Sequence, residues 1–372
     1  ICYHLGVSKV KDCLILALLT LGLTFLVWLP HLLQIRFNGL DFSNGFATIY
    51  RNFDGLEYVI IAKSWYFPDQ IAALPQSLSA NYYAAHFPGY SLLILALAPL
   101  LGFLKAMMLG SVLSTIAAVI AFYLLVRDFK LTEHPLWLSF VFLVLPARWL
   151  IVHSVGSSEP LFIFFVIATM YCFLKYEALS KMNWLLSAAV FGALAQFTRP
   201  PGALLIIALV LYIHWQAWIK KSFFSHLRYW PLILMPLSLL LIFYWYGQSY
   251  GDFWAYFHSG DNIHLGFPPF QVFDKQQYWV GDIWLEDIVY ILGLGFLAGL
   301  TLWKRKLYPL AFFVLTYFTA SSLIAHRDIS RYTLPAFPFV IIAFEKILVT
   351  KEFKIVLAIL ALGIYLYAQN FI

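Results

Sequence analysis

The chain has 372 residues, 62% of them hydrophobic and only 11% charged, with a net charge of +6 and a mean hydropathy of +0.81. Soluble domains are nearer half apolar and a quarter charged, so this composition excludes an ordinary soluble domain and indicates a polytopic membrane protein. In such a chain a modest positive charge belongs to Lys and Arg in cytoplasmic loops, and no nucleic-acid partner is implied.

A bilayer core of roughly 30 Å takes about twenty apolar residues per helix. Runs of suitable length centre on 12–34, 106–126, 137–153, 160–176, 183–198, 201–219, 230–246, 287–303, 308–325, 333–348 and 353–370. They predict an all-α bundle of about eleven transmembrane helices, forming one domain over residues 1–372. Residues 13–30 read as a first span rather than a signal peptide. The run 88–104, "PGYSLLILALAPLLGFL", is ambiguous.

Basic residues cluster at Lys9/Lys11, Arg127/Lys130, Lys175/Lys181, Lys220/Lys221/Arg228, Lys304/Arg305/Lys306 and Lys346/Lys351/Lys354. If all are cytoplasmic, an even number of crossings separates each pair, and the parity holds only when 88–104 does not cross. That run is therefore expected to be re-entrant or surface-lying, as its two prolines permit. The polar connections 35–87, 154–159, 199–200, 247–286 and 326–332 then share the non-cytoplasmic face. Residues 35–105 make a first outer loop with juxtamembrane helices, and 247–286 a second.

The first outer loop contains "RNFDGLEYVIIAKSWY", residues 51–66, which predicts an amphipathic interfacial helix beginning at Asp54. Asp54 is either the N-cap of that helix or a general base for an attacking hydroxyl. Glu57 is either an assisting group or a solvated partner of Lys63 or Arg51. In "HSVGSSEPLFIFF", residues 153–165, Glu159 is a helix cap or a carboxylate kept at the membrane edge for chemistry, and His153 reads as an interfacial histidine. Arg199, in "QFTRPPGALL", is a snorkelling residue or a phosphate ligand. His326, Arg327, Asp328 and Arg331 crowd one short loop, where the arginines point to an anionic lipid phosphate or to a local pair with Asp328.

Residues 247–286 carry Trp254, Tyr256, Trp279 and Trp284, suited to a sugar site, a lid or the interface. His258, Asp261 and His264 lie among them without a recognised metal-ligand spacing. Cys2, Cys13 and Cys172 have no framework spacing, so neither a disulfide nor a zinc site is expected. There is no internal repeat, P-loop, dinucleotide fingerprint, G-x-S-x-G or H-E-x-x-H stretch.

The order of these motifs carries more than any one of them. After a first span come an outer Asp ahead of an aromatic helix, the Phe-Pro element "AAHFPGYSLLI" containing His86, and "SVGSSEPLF" from Ser154 to Phe162. R-x-x-G at Arg199–Gly202 and R-Y-x-x-P at Arg331–Pro335 follow. This order resembles the GT-C integral-membrane glycosyltransferases, and most of all the PIG-V mannosyltransferases. The resemblance implies transfer of mannose or another hexose from a polyprenyl-phosphate carrier to a lipid or glycan hydroxyl, with inversion, at the outer face of a multi-pass protein among membrane lipids. In a bacterium that membrane would be the plasma membrane.

Asp54 matches the family's first-loop catalytic Asp, although Phe53 stands where such chains usually carry Trp and the following aromatic pair is Glu57-Tyr58. With Asp54 as base, Glu159 orients the acceptor or helps hold a divalent metal ion, and whether a metal cofactor takes part is open. Arg199, Arg327, Arg331, His86 and Glu57 are the expected substrate-binding residues. A transporter or flippase of lipid-linked sugars is the alternative, since the same arginines would bind phosphate, and a non-catalytic scaffold is a third.

Overall fold

The computed structural model describes residues 2–37, 39–260, 265–277, 279–280 and 285–372. Asp261, His264 and Trp284 lie outside the described residues. Among those described, regular structure is helical apart from one short antiparallel ladder, Arg36–Phe37 against Leu40–Asp41, and a single bridge between Leu265 and Ile324.

Helix α1 (Cys2–Leu33) leads into four short helices, α2 (Phe46–Arg51), α3 (Gly55–Ser64), α4 (Pro68–Ala72) and a 3-10 turn at 80–85. Then α5 (Gly89–Leu101) turns at Gly102 directly into α6 (Phe103–Asp128). The pair α7 (Pro135–Val144) and α8 (Ala147–Val152) is followed by α9 (Glu159–Leu179), α10 (Met182–Thr198) and α11 (Gly202–Ile219). A 3-10 stretch at 223–233 runs into α12 (Leu234–Ser249), and α13 (Ala255–His258) lies in the second outer segment. The chain closes with α14 (Glu286–Lys304), α15 (Tyr308–Ser322), α16 (Ile329–Tyr332), α17 (Phe337–Ala343), α18 (Glu345–Leu348) and α19 (Lys351–Phe371).

Each of the eleven apolar runs is thus one helix or a broken pair. Among the described residues, seven helices are long and apolar enough to cross a membrane: Lys9–Leu33, Phe103–Asp128, Glu159–Leu179, Gly202–Ile219, His226–Ser249, Glu286–Lys304 and Lys351–Phe371. The runs 137–153, 183–198, 308–325 and 333–348 give shorter or interrupted helices. Helix α5 rises only about 20 Å, less than a bilayer core.

The helices pack as an apolar bundle in which α9 contacts α6 and α10, α14 contacts α15 and α17, and α11 contacts α15. Phe122, Phe142, Phe162, Phe173 and Phe313 are fully buried between them. Leu237, Leu240 and Leu241 on α12, and Leu294 and Leu297 on α14, are exposed. Such outward leucine faces are those of helices solvated by lipid.

The interfacial helix expected from Asp54 onward is a correction. Tyr58, Val59, Ile60, Ile61 and Ala62 are all buried, so α3 is largely internal, and only Glu57 and Lys63 on its polar side reach a cleft. Five consecutive apolar residues cover every side of a helix, which is the pattern of an internal one. Helix α3 packs instead against α5 and α6.

Glycine makes that packing possible. A Cβ on Gly55 would fall 2.6 Å from the Gly156 carbonyl oxygen and 2.8 Å from Met107 Sδ, so the start of α3 and the 153–158 turn meet at bare backbone, with the Met107 side chain of α6 packed against both. Gly202 does the same for the turn after α10, where a Cβ would lie 2.4 Å from Gln196 Cα. Gly55→Ala is expected to destabilise the purified protein by about 1–3 kcal/mol, read as a lowered midpoint in thermal unfolding. An unchanged midpoint would show that the three segments do not meet as described.

Candidate active site

Four helix ends deliver four charged side chains to one place. Asp54 occupies the N-cap position of α3, but its side chain makes no capping bond there. Its Oδ2 instead accepts a hydrogen bond from Nη2 of Arg331, on α16. Glu159 opens α9, and its Oε1 accepts from Arg331 Nε at 2.6 Å. Arg199, in extended conformation immediately after α10, brings Nη1 to 2.9 Å from the same Glu159 oxygen. Arg199 also donates to Ser158 Oγ at 2.8 Å, and that hydroxyl shares a 2.7 Å hydrogen bond with Tyr58. The cap and snorkelling readings of Asp54, Glu159 and Arg199 therefore do not describe where these side chains go.

The four charges balance, two guanidinium groups against two carboxylates. The Arg331 guanidinium lies 4.6 Å from the Phe53 ring centroid, and the Arg148 guanidinium lies 5.2 Å from the same ring. Phe53 adopts a left-handed backbone (φ 52°) that turns the chain into α3. Burial tends to raise the Asp54 carboxyl, but the Arg331 guanidinium, with His86 and Arg199, outweighs it and holds Asp54 well below the usual carboxylate range. Burial pushes the Tyr58 phenol up, so it remains protonated beside Ser158.

These groups border a cavity of about 520 Å³ lined by Asp54, Tyr58, Tyr82, His86, Arg199, Tyr256, His326, Asp328, Arg331 and Tyr332. A smaller apolar cavity of about 170 Å³, walled by Ala203, Leu204, Leu265, Tyr317 and Ala320, shares Pro200, Pro201, Tyr256, Ile324 and Tyr332 with it. The polar chamber thus adjoins an apolar annex between α11 and α15, with these five shared residues forming the wall between them.

Several expected residues are placed otherwise. Glu159 does not line the cavity: at 2% side-chain exposure it lies behind the arginines and fixes them. Glu57 faces away from the site, into a separate cleft of about 410 Å³ with Lys63, Gln76, Tyr83 and Phe103. It precedes Tyr58 by one residue, which on a helix turns it about 100° from the cavity. Arg327 is exposed and outside the cavity lining. Asp328 pairs with neither neighbouring arginine but with Arg148, at 2.8 Å. His153 is buried, its Nε2 3.2 Å from the Leu143 carbonyl oxygen, and is not interfacial. His258 pairs with Asp252 at 2.6 Å on the surface.

Sequence reasoning missed Tyr58, Tyr82, Ser158 and Arg148. Arg148 had a signal, a lone arginine inside the apolar run 137–153. Among the described residues no group of three His, Cys, Asp or Glu side chains could hold a metal ion. A guanidinium sits between Asp54 and Glu159, so this donor set does not fit a divalent cation, and no step below runs through one.

Removing the bridge leaves two carboxylates facing each other, one of them buried. Arg331→Gln is expected to cost about 3–5 kcal/mol in thermal or denaturant unfolding, and an effect below about 1 kcal/mol would contradict the bridge. The depressed Asp54 carboxyl also has a pH signature. Its stabilisation is fully present above the unfolded value near 3.8 and fades only as pH falls further toward the folded one. The stability difference between wild type and Asp54→Asn should therefore stay constant from pH 7 to about 4. A decline already at about pH 5–6 would contradict the assignment.

A family model described as dolichyl-phosphate-mannose-protein mannosyltransferase matches residues 103–257, a stretch that includes Glu159 and Arg199 but neither Asp54 nor Arg331. That family is a GT-C family, the type that the motif order implied. No curated protein matches the chain. Among solved structures, the crystal structure of ArnT from Cupriavidus metallidurans bound to undecaprenyl phosphate is similar over 88% of this chain, with a TM-score of 0.57 at 14% identity. The chain spans 59% of the length of that structure. In its fold, this helical chain is similar to ArnT.

Proposed function

We propose that the protein is a glycosyltransferase that moves a sugar from a polyprenyl-phosphate carrier to a hydroxyl acceptor. The observation that carries this reading is the junction of two cavities. A chamber lined by two arginines and two aspartates adjoins, across shared walls, an apolar annex between membrane helices. A sugar–phosphate lipid has that same division, an anionic polar head on an isoprenoid chain. ArnT, which shares the fold, is a structure bound to undecaprenyl phosphate.

In this reading Arg199 and Arg331 hold the donor phosphate, as guanidinium groups do by paired hydrogen bonds. Tyr82, His86 and Tyr256 face the sugar, aromatic walls suiting its apolar face. The acceptor oxygen attacks the anomeric carbon and gives its proton to Asp54. The anomeric carbon–phosphate oxygen bond breaks, and the polyprenyl phosphate leaves with its charge stabilised by the arginines. One displacement inverts the anomeric centre. In this reading the transferred sugar is mannose or another hexose.

Placement on the non-cytoplasmic face has its own support. Helices α6, α9, α10 and α11 each have one end at the site, at Met107, Glu159, Arg199 and Gly202. Their other ends carry Arg127, Lys175, Lys181 and Lys220. Apart from Lys105 on α6 and Arg199 of the site itself, the basic residues thus lie at the far ends of these helices, as positive-inside topology favours for a site on the outer side.

The test is transfer from labelled polyprenyl-phosphate hexoses to a membrane extract by the reconstituted protein. Asp54→Asn should lower the rate by at least about 100-fold, and Arg199→Gln should weaken donor use. Transfer at full rate by Asp54→Asn would remove Asp54 as base. Movement of carrier across the bilayer with no transfer from any donor would favour a transporter instead.

A further inference from the structure

Arg331 divides its guanidinium between two carboxylates of unequal standing. Its Nε donates to Glu159, whose side chain is 2% exposed, whereas its Nη2 donates to Asp54, whose side chain is 30% exposed and lines the cavity. Glu159 is pinned a second time by Arg199, which Ser158 holds in turn. The Phe53 ring covers one face of the Arg331 guanidinium. One carboxylate is therefore fixed and the other is replaceable.

Resting on the reading that this chamber takes a phosphate-linked sugar lipid, we propose that the donor phosphate displaces Asp54 from Nη2 of Arg331, so that seating the donor releases the base that the reaction needs. Three anions then compete for two guanidinium groups. Glu159 cannot be the one that leaves, because withdrawing its partners would strand a charge away from water. Asp54 can leave, because it turns into a polar chamber. Nη2 of Arg331 passes from a carboxylate oxygen to a phosphate oxygen, a charge-assisted bond of the same kind.

The exchange orders the reaction. While Asp54 is held by Arg331 it is a weak proton acceptor; once freed it regains ordinary carboxylate basicity beside the acceptor. Deprotonation therefore follows donor binding, and the base stays masked when no donor is present. Glu159 acts through Arg331 and Arg199 and is a positioning residue in this scheme.

The test uses undecaprenyl phosphate, carrying no sugar, as the probe, with the full chain in detergent. If Asp54 competes with phosphate, Asp54→Asn and Asp54→Ala should each bind the probe roughly tenfold tighter than wild type. The probe should also raise their unfolding temperature more than it raises that of wild type. Glu159→Gln should bind it more weakly, since the arginines lose their anchor. A measurement on wild type alone does not depend on how the variants fold. Carbodiimide-driven amine labelling of Asp54 at about pH 5 should rise when the probe is added.

Binding by the Asp54 variants equal to or weaker than wild type, or labelling that stays flat or falls, overturns the exchange while leaving the donor reading intact if wild type binds the probe. Failure of wild type and both Asp54 variants alike to bind it overturns the donor reading and the exchange with it.

Discussion

One guanidinium, that of Arg331, joins parts of the chain far apart in sequence. Through it Asp54, at the start of α3, and Glu159, at the start of α9, are held to a four-residue helix near the end of the fold. Two carboxylates so close would repel without it, and Glu159, away from water, would be costly to keep ionised. The second arginine, Arg199, balances the group and ties in the end of α10. The site is a neutral cluster assembled from helix ends, and its geometry is only as good as the packing that brings those ends together.

That dependence explains features that look unrelated to chemistry. Gly55 and Gly156 let α3 and the 153–158 turn approach to backbone contact beneath the Met107 side chain of α6, next to Asp54 and Glu159. Gly202 folds the chain back after Arg199, and Pro200 and Pro201 form the wall between chamber and annex. Phe53 supplies an aromatic face to both Arg331 and Arg148, while Arg148 in turn holds Asp328, in the late loop, clear of Arg331. Without that last pair Asp328 would compete for the guanidinium that the site uses.

Much of this is legible in the sequence, and what is not has a physical reason. The eleven apolar runs appear as helices or broken pairs because apolar length alone decides them. Asp54, Glu159, Arg199, Arg331 and His86 converge because a charge in an apolar chain is retained only where something compensates it. Glu57 and Arg327 lie elsewhere for a complementary reason. Neighbours in sequence point in different directions on a helix, so Tyr58 faces the cavity while Glu57 faces another cleft. Local spacing suggests pairing Asp328 with Arg327 or Arg331, whereas its partner, Arg148, is 180 residues away. Helix α3 reads as amphipathic from its charged ends, although its five central residues are apolar and buried.

In the proposed mechanism Arg331 is the point where donor phosphate and catalytic carboxylate meet. The most direct measurement is an experimental structure of the full chain with undecaprenyl phosphate bound. It should show a phosphate oxygen within hydrogen-bond distance of Arg331 Nη2, Asp54 turned into the chamber, Glu159 still on Arg331 Nε, and the isoprenoid chain in the annex beside Leu204 and Tyr317. A phosphate seated away from both Arg199 and Arg331, with Asp54 still held by Arg331, would contradict it.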